Sequence, residues 1–409
     1  MTLERLTPGA EVNLNRGQTV VVMPVFGGYE FVAESLAAAL RHTASDVPLC
    51  VINDGSDDDR IGTLVEDLGA AGQPRRLFYI EHESNLGFVE SCNEAFERFA
   101  PADVVILNSD CVVAEQWLER MQAAAASDAR IATVSALSNS GSIISIPERN
   151  EPTEGLPAGL SLEAAAERVA DVSAQARPPL PAAIGHCMLI RRMALELVGG
   201  FDPVFSPGYG EEVDFSARCT AHGLAHVLAD DVFVLHHGGA SFDRRTDELT
   251  ELHNDIVFGR YPWLDQSVSE MAGASEGPLD GALMRASLSQ RRLRVTVDGS
   301  CLAAAWTGTQ VHTLGVIAAL ASNSDVELRV LVSPNLSPET RALIAAQGPS
   351  ELLSTEDVDH RTRKSDIVHR PFQSGSPSDF EYLSRLGRRI VVSQLDQIHF
   401  HNPSYSIEA

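Results

Sequence analysis

The chain has 409 residues, of which 44% are hydrophobic and 21% charged, with a formal net charge of −25. This is globular composition in a chain too long for a single hydrophobic core, so two domains are expected. The acidity argues against a nucleic-acid binder, which needs a basic face for phosphates, and against a polybasic membrane dock.

In chain order, the opening MTLERLTPGAEVNLNRG lacks the basic-then-apolar order of a signal peptide. Residues 18–26 (QTVVVMPVF) read as a buried strand, and 29–43 as a helix with Val32, Leu36, Ala39 and Leu40 on one face. A second strand spans 48–54 and a second helix starts at Ile61. A strand at 75–83 precedes a helix from Asn85, its expected N-cap. The run DVVILNS (103–109) is a fourth strand, and EQWLERMQAAAAS a further helix. Continuous apolar strands between amphipathic helices predict an α/β fold: a mixed, mainly parallel sheet with helices on both faces. Such sheets bind ligands outside the carboxyl ends of their strands. Those ends carry Pro24, Asp54 and Asp110.

Residues 138–181, rich in Pro, Gly, Ser and Ala, show no readable period. Patterning resumes at 181 and continues to about 260. Residues 266–291 gather Ser, Gly, Glu and Met and are expected to be a linker between a first domain, 1–265, and a second α/β unit, 292–409. The second unit starts with the strand RLRVTVDGS and stops soon after IHFHNPSYSIEA, as a truncated domain would. No run of about 18 apolar residues marks a membrane span. The six cysteines are scattered, with none in a CxxC pair, and read as reduced core thiols of a cytoplasmic protein.

The carboxylates at strand ends carry the functional signal. Asp54 in INDGSDDD fits either an Asx-type turn or an acceptor for a nucleobase imide. Asp110 in ILNSD fits either a helix N-cap or a ligand for a hard divalent cation, with Asn108 on the same side of the extended chain. Glu211, Glu212 and Asp214 in GYGEEVD fit the acidic first turn of a helix. His236 and His237, before Gly238, end another apolar strand; glycines there allow close backbone approach to a ligand, and histidine is a common metal ligand.

The order of these pieces resembles family-2 glycosyltransferases of the GT-A fold across residues 18–260: VVVMPVFGGYEFVAESLAAAL, VINDGSDD, NLGFVESCNEAF, ILNSD, GHCMLIRRMALELVGGFDPVF, GYGEEVDFSARCTAHGL and VLHHGGAS. The resemblance implies an inverting transferase that moves a sugar from a nucleoside-diphosphate-sugar to a hydroxyl of a glycan or glycoconjugate. It implies a nucleobase pocket at Pro24, Val25 and Asp54. It also implies a DxD-type motif at Asn108, Ser109 and Asp110, with Mg²⁺ or Mn²⁺ held by Asp110 and His236. The general base falls within GEEVD, at Glu212 with Glu211 and Asp214 as alternatives. Residues 185–192 and 200–205 match the acceptor-side segment. Two departures stand out: Asn108 replaces the first carboxylate of the DxD, and Glu212 stands where Asp is common.

The second unit resembles the N-terminal lobe of a family-4 (GT-B) glycosyltransferase, through RLRVTVDGSCLAAAWTGTQVHTLGVIAAL, DIVHRPF and RRIVVSQLDQIHF. In that family the donor is held largely by the other lobe, so this unit is expected to be catalytically silent. The competing readings are a nucleotidyltransferase, disfavoured by the absence of Lys or Arg after the first strand, and a silent carbohydrate-binding scaffold.

Overall fold

A computed structural model describes residues 2–7, 10, 12–70, 76–157, 159–238, 244–273, 277–303, 306–359, 362–374 and 376–395. The chain divides into two compact units, Met1–Gln290 and Arg291–Ala409.

The first unit opens with strand β1 (Thr2–Arg5), β2 (Thr19–Val25), helix α1 (Tyr29–His42), β3 (Leu49–Asn53), α2 (Arg60–Ala70), β4 (Arg76–Glu81), α3 (Phe88–Arg98) and β5 (Asp103–Leu107). It continues through β6 (Cys111–Val112), α4 (Trp117–Ala126), β7 (Ile131–Ser138), α5 (Leu162–Val172), β8 (Pro179–Leu180), β9 (Cys187–Ile190) and α6 (Arg192–Val198). It closes with α7 (Glu211–Ala221), β10 (Ala225–His236), α8 (Arg244–Arg260), α9 (Pro262–Gly273) and α10 (Pro278–Gln290). Every residue of β2 is buried, because alternate side chains enter two cores. Val21, Met23 and Val25 pack with Leu36 of α1, Val65 of α2 and Trp117 of α4. Val20 and Val22 pack with Phe96 of α3 and Phe215 of α7. This is the period of a strand covered on both faces.

The sheet order is β1-β4-β3-β2-β5-β9-β7-β10, with β6 and β8 also paired to β10. The first five strands are parallel and β9 runs antiparallel between β5 and β7. The chain builds outward from β2 to β4, then returns to place β5 on the other side of β2. The strand order therefore reverses between β2 and β5, which opens a crevice at their carboxyl ends.

Two expectations differ from the structure. Helix α3 starts at Phe88 with Gly87 as its cap, not Asn85; the N–H groups of Leu86 and Gly87 are taken by Asp54 instead. The segment expected as a linker is largely helical. Leu279, Leu283 and Ala286 recur at helical spacing and are buried with Ala165, Ala166 and Val169 of α5. The surrounding Ser and Gly residues hide that stripe. No helix among the described residues is long and apolar enough to cross a membrane.

The second unit contains β11 (Leu293–Asp298), α11 (Gly308–Ala321), β12 (Val326–Val332), α12 (Pro338–Ala345), β13 (Glu351–Ser354), β14 (Ser365–Arg370), α13 (Pro377–Leu386) and β15 (Gly387–Val392). Its five strands form an all-parallel sheet in the order β13-β12-β11-β14-β15. The closing stretch IHFHNPSYSIEA lies outside the described residues.

A packed α10 has a measurable consequence. Leu283→Ala is expected to destabilise the first unit by about 2–4 kcal/mol, the usual result of emptying a buried leucine site. Urea unfolding followed by tryptophan fluorescence measures this; an unchanged midpoint would mean that residues 278–290 are not packed.

Candidate functional site

The crevice between β2 and β5 is built from strand ends. Val25 closes β2, and its carbonyl accepts from Asp54 N at 2.8 Å. Beyond β5 the chain turns sharply: Cys111 N donates to Asn108 O at 3.0 Å, and Asn108 N donates to His186 O at 3.0 Å. The Ser35 hydroxyl of α1 pins the turn by donating to Cys111 O at 2.5 Å. Asn108, Ser109 and Asp110 are consequently half-buried at the crevice.

Asp110 meets His236 from the end of β10, with Oδ2 and Nε2 3.3 Å apart. The neighbouring backbone is locked, since His237 N donates to Asp110 O at 3.0 Å. His236 is oriented by two further bonds: Nδ1 faces Ser140 O at 2.8 Å and its backbone N donates to Asn139 Oδ1 at 2.8 Å. Because Ser140 O only accepts, Nδ1 carries a proton, and Nε2 is the atom presented to Asp110. Burial opposes the charge on Asp110, but the hydrogen bond and charge of His236 hold its pKa below the usual value. Burial likewise opposes charge on His236, and Asp110 more than offsets it, raising that pKa.

Asp110, Cys111 and His236 offer ligand atoms all within 4.8 Å of one another. The set fits a divalent cation through Asp110 Oδ2 and His236 Nε2, an oxygen and an imidazole nitrogen held in place by a second layer of hydrogen bonds. Cys111 does not fit: burial first, then the Asp110 charge, push its thiol pKa well above normal, and a protonated thiol is a poor ligand.

The second group of charges opens α7. Glu211 is 5% exposed and Asp214 fully buried, whereas Glu212 is half-buried. Asp214 is fully engaged: Arg218 Nε donates to Oδ2 at 2.8 Å, and Arg260 NH1 donates to Oδ1 at 2.8 Å. It is a counter-ion joining α7 to α8. Glu211 and Glu212 have no such partner, and Oε2 of each is buried without a hydrogen bond. Burial, then the charge of Glu212, pushes the Glu211 pKa well up, and burial also raises that of Glu212. An alanine-type Cβ at Gly185 would lie 3.8 Å from Glu212 Cγ. The next residue, His186, stacks on His236 with ring centroids 5.5 Å apart and planes at 14°. The carboxylate pair and the Asp110–His236 pair are thus joined through residues 185–186.

Asp54, 4% exposed, is also occupied by the chain's own donors. Leu86 N donates to Oδ1 and Gly87 N to Oδ2, each at 2.8 Å. His82 Nδ1 faces Oδ1 at 2.6 Å. An imide acceptor at Asp54 would have to share these oxygens, so this geometry matches a loop clamp and not a free base reader. Gly55, at φ +65°, completes the clamp; any Cβ there would sit 2.4 Å from the Ser84 carbonyl carbon.

Sequence reasoning passed over His82 and His186. His186 is 5% exposed, neither ring nitrogen has a hydrogen bond of normal geometry, and burial lowers its pKa to about 3. His186 lies in an apolar stretch and His82 among acidic and polar residues, and the available signal was a histidine placed against a strand end.

These placements separate the α7 carboxylates by stability. Asp214→Asn breaks a buried ion pair and should lower stability by about 3–5 kcal/mol. Glu211→Gln should do the opposite. A glutamate whose folded pKa is raised costs stability as pH rises from its ordinary value of about 4.3 through the folded one, so the amide should raise Tm at pH 8 and leave it unchanged at pH 4. Thermal unfolding at the two pH values checks both signs.

Residues 20–199 match the family model "Glycosyl transferase family 2". An uncharacterized glycosyltransferase of Haemophilus influenzae is 25% identical over 101 residues, 25% of this chain and 30% of that protein. The O-antigen biosynthesis protein RfbC of Myxococcus xanthus is 35% identical over 79 residues, 19% of this chain and 6% of that protein. The aligned parts thus span less than a third of either relative. Among solved structures, mannosyltransferase PcManGT from Pyrobaculum calidifontis in complex with GDP-Man and Mn²⁺ is 17% identical, with a TM-score of 0.46, covering 81% of this chain and 84% of that one. GalNAc-T7 with UDP, GalNAc and Mn²⁺ is 16% identical, with a TM-score of 0.43, covering 62% and 52%. The segment from β2 to the end of α6, with Asp54 and Asp110 inside it, is therefore the part of the chain that carries the glycosyl transferase family 2 pattern.

Proposed function

We propose that the first unit is a metal-dependent, inverting glycosyltransferase. It moves a sugar from a nucleoside-diphosphate-sugar to a hydroxyl of a glycan or glycoconjugate. The observation that carries this reading is the Asp110–His236 pair, 3.3 Å apart at the crevice, linked through residues 185–186 to two buried carboxyls of raised pKa. The family-2 match over 20–199 supports sugar transfer. The partial likeness to an O-antigen biosynthesis protein supports a cell-envelope polysaccharide as acceptor.

In this reading Asp110 and His236 hold Mg²⁺ or Mn²⁺, which when bound compensates the charge of the leaving diphosphate. Pro24, Val25 and the loop clamped by Asp54 line the donor's nucleotide end. Asn108 and Ser109 complete the turn that presents Asp110. Glu212 is the general base: it is half-buried and can meet an acceptor hydroxyl, whereas Glu211 is deeper and Asp214 is committed to Arg218 and Arg260. A carboxylate of raised pKa is a stronger base, which suits proton removal from a hydroxyl. The hydroxyl oxygen forms its bond to the anomeric carbon as its proton passes to Glu212. The bond from that carbon to the diphosphate oxygen breaks, and its electron pair leaves with the nucleoside diphosphate. One displacement inverts the anomeric centre. Among the described residues the group of candidate metal ligands lies in the first unit.

The test is release of nucleoside diphosphate from a panel of nucleotide-sugars with Mn²⁺. Asp110→Ala should lower kcat/KM by about 100-fold or more, the equivalent of several kcal/mol of lost charge compensation. Glu212→Gln should lower kcat by roughly 10²–10⁴, the usual worth of a positioned base. Wild-type turnover in Asp110→Ala would overturn the metal assignment. Pyrophosphate as the product, instead of nucleoside diphosphate, would make the protein a nucleotidyltransferase.

A further inference from the structure

One buried charge cluster is not used by that chemistry. His82 stands between two carboxylates, with Nδ1 2.6 Å from Asp54 Oδ1 and Nε2 2.7 Å from Glu94 Oε2. The His82 side chain is 8% exposed and that of Asp54 5%. Arg98 closes the far side by donating to Glu94 Oε1 from Nε at 2.8 Å and NH2 at 2.6 Å. The titratable groups facing the ring are thus Asp54 from the end of β3 and Glu94 from α3, with Arg98 behind Glu94. On its own strand Glu81 turns to Arg5, 3.3 Å away, and Glu83 is exposed.

An imidazole can donate to two carboxylates at once only when both nitrogens carry protons, that is, as the cation. With His82 charged, two cations face two anions and the partly buried quartet is neutral. Without that proton, one carboxylate loses one of its donors and the cluster carries a net negative charge, which costs most at the buried Asp54 end.

The cluster sits where the donor and acceptor halves meet. Asp54 clamps Leu86 and Gly87. The next residue, Phe88, donates its backbone N to Pro207 O at 2.8 Å, in the loop that runs into Glu211. Further along α3, Asn93 Nδ2 donates to Phe201 O at 2.9 Å, and Asn93 Oδ1 accepts from Phe201 N at 2.8 Å. Helix α3 is therefore fastened to the strand-end turn through His82 and Glu94, and to the acceptor-side loop through Phe88 and Asn93.

We propose that His82 is a positioning residue that ties the Asp54 turn to α3 as a doubly hydrogen-bonded imidazolium, and that nucleoside-diphosphate affinity therefore falls as pH rises above neutrality. The inference rests on the donor-site reading above. Burial acts against the charge on His82, but the bonds to Asp54 and Glu94 raise its pKa. The stability it contributes is fully present below the ordinary histidine value of about 6.5 and is lost as pH rises through the folded value.

The experiment is calorimetric titration of the full chain with UDP and with GDP in the presence of Mn²⁺, from pH 6 to pH 9. Wild-type Kd should rise across this range by roughly three- to tenfold, the size of an ordinary coupling between two sites. His82→Gln, which is uncharged and cannot span both carboxylates, should bind at the wild-type high-pH level with this component of the pH dependence gone. Glu94→Leu removes the second acceptor without touching the Asp54 turn and should behave likewise; it carries the test if His82→Gln does not fold. Tm should lose its alkaline decline in both variants. A wild-type pH profile retained by either folded variant overturns the role of His82. Failure of wild type to bind either nucleotide at any pH overturns the donor-site reading itself, and this coupling with it.

Discussion

Moving a carboxylate out of water costs several kcal/mol unless donors inside the protein replace the lost hydration. The first unit does this at the ends of its strands, within β10 and at the start of α7, and it answers the cost in two different ways. At Asp54, Asp214, Asp230 and Asp231 the chain supplies the donors itself. Asp230 accepts from Ser173 Oγ at 2.7 Å and Arg177 N at 3.0 Å, and Asp231 from Arg177 NH2 at 3.0 Å. At Glu211 and Glu212 an oxygen of each is left without a partner, and at Asp110 the compensation is one histidine with the backbone N–H groups of Asp110 and Gly238. The first group holds loops together. The second group is where a ligand has something to add.

Topology decides which carboxylates fall in which group. β10 is irregular where it passes β7, its register shifting between Ala229 and Phe233. The bulge turns Asp230 and Asp231 into the protein, where Arg177 meets them. At the other end of the same strand, His236 emerges at the crevice where the strand order reverses beside β2. A parallel sheet sends its strand ends, with the polar residues that terminate each apolar run, to one edge. Asp110, His236 and the Asp54 turn reach that edge from three strands widely separated in sequence, and α7 brings its two glutamates alongside residue 185.

How much of this was legible follows from contrast along the sequence. Strands β2, β3 and β5 are unbroken apolar runs, the last two ended by polar residues, so both their existence and the importance of those ends can be read directly. Helix α10 mixes leucines with Ala, Ser, Gly and Asp. Its buried face, which includes Asp280, Ser287 and Gln290, differs little from its exposed one in composition, and packing against α5 is what distinguishes it. Asp54 marks a second limit. Its position is visible, but its partners are His82, Leu86 and Gly87, about thirty residues on, and the pairing of β3 with β4 is what brings them near. Asp214 is the same case, since Arg260 reaches it from another helix. A residue type at a strand end can be read from sequence; whether its lone pairs are already taken cannot.

That distinction bears most on Asn108. Its Oδ1 is buried without a partner, on the same turn as Asp110. An aspartate there would place a second anion beside Asp110, with His236 the histidine available to oppose both, and like charges confined in one desolvated turn raise each other's pKa. The amide keeps the turn polar and shaped for ligation while leaving one buried charge to balance, which His236 does. The protein can then hold the turn folded without a cation. In the proposed reading, one carboxylate instead of two means that the chain offers a cation less negative charge, and the phosphates of the proposed donor would supply the rest.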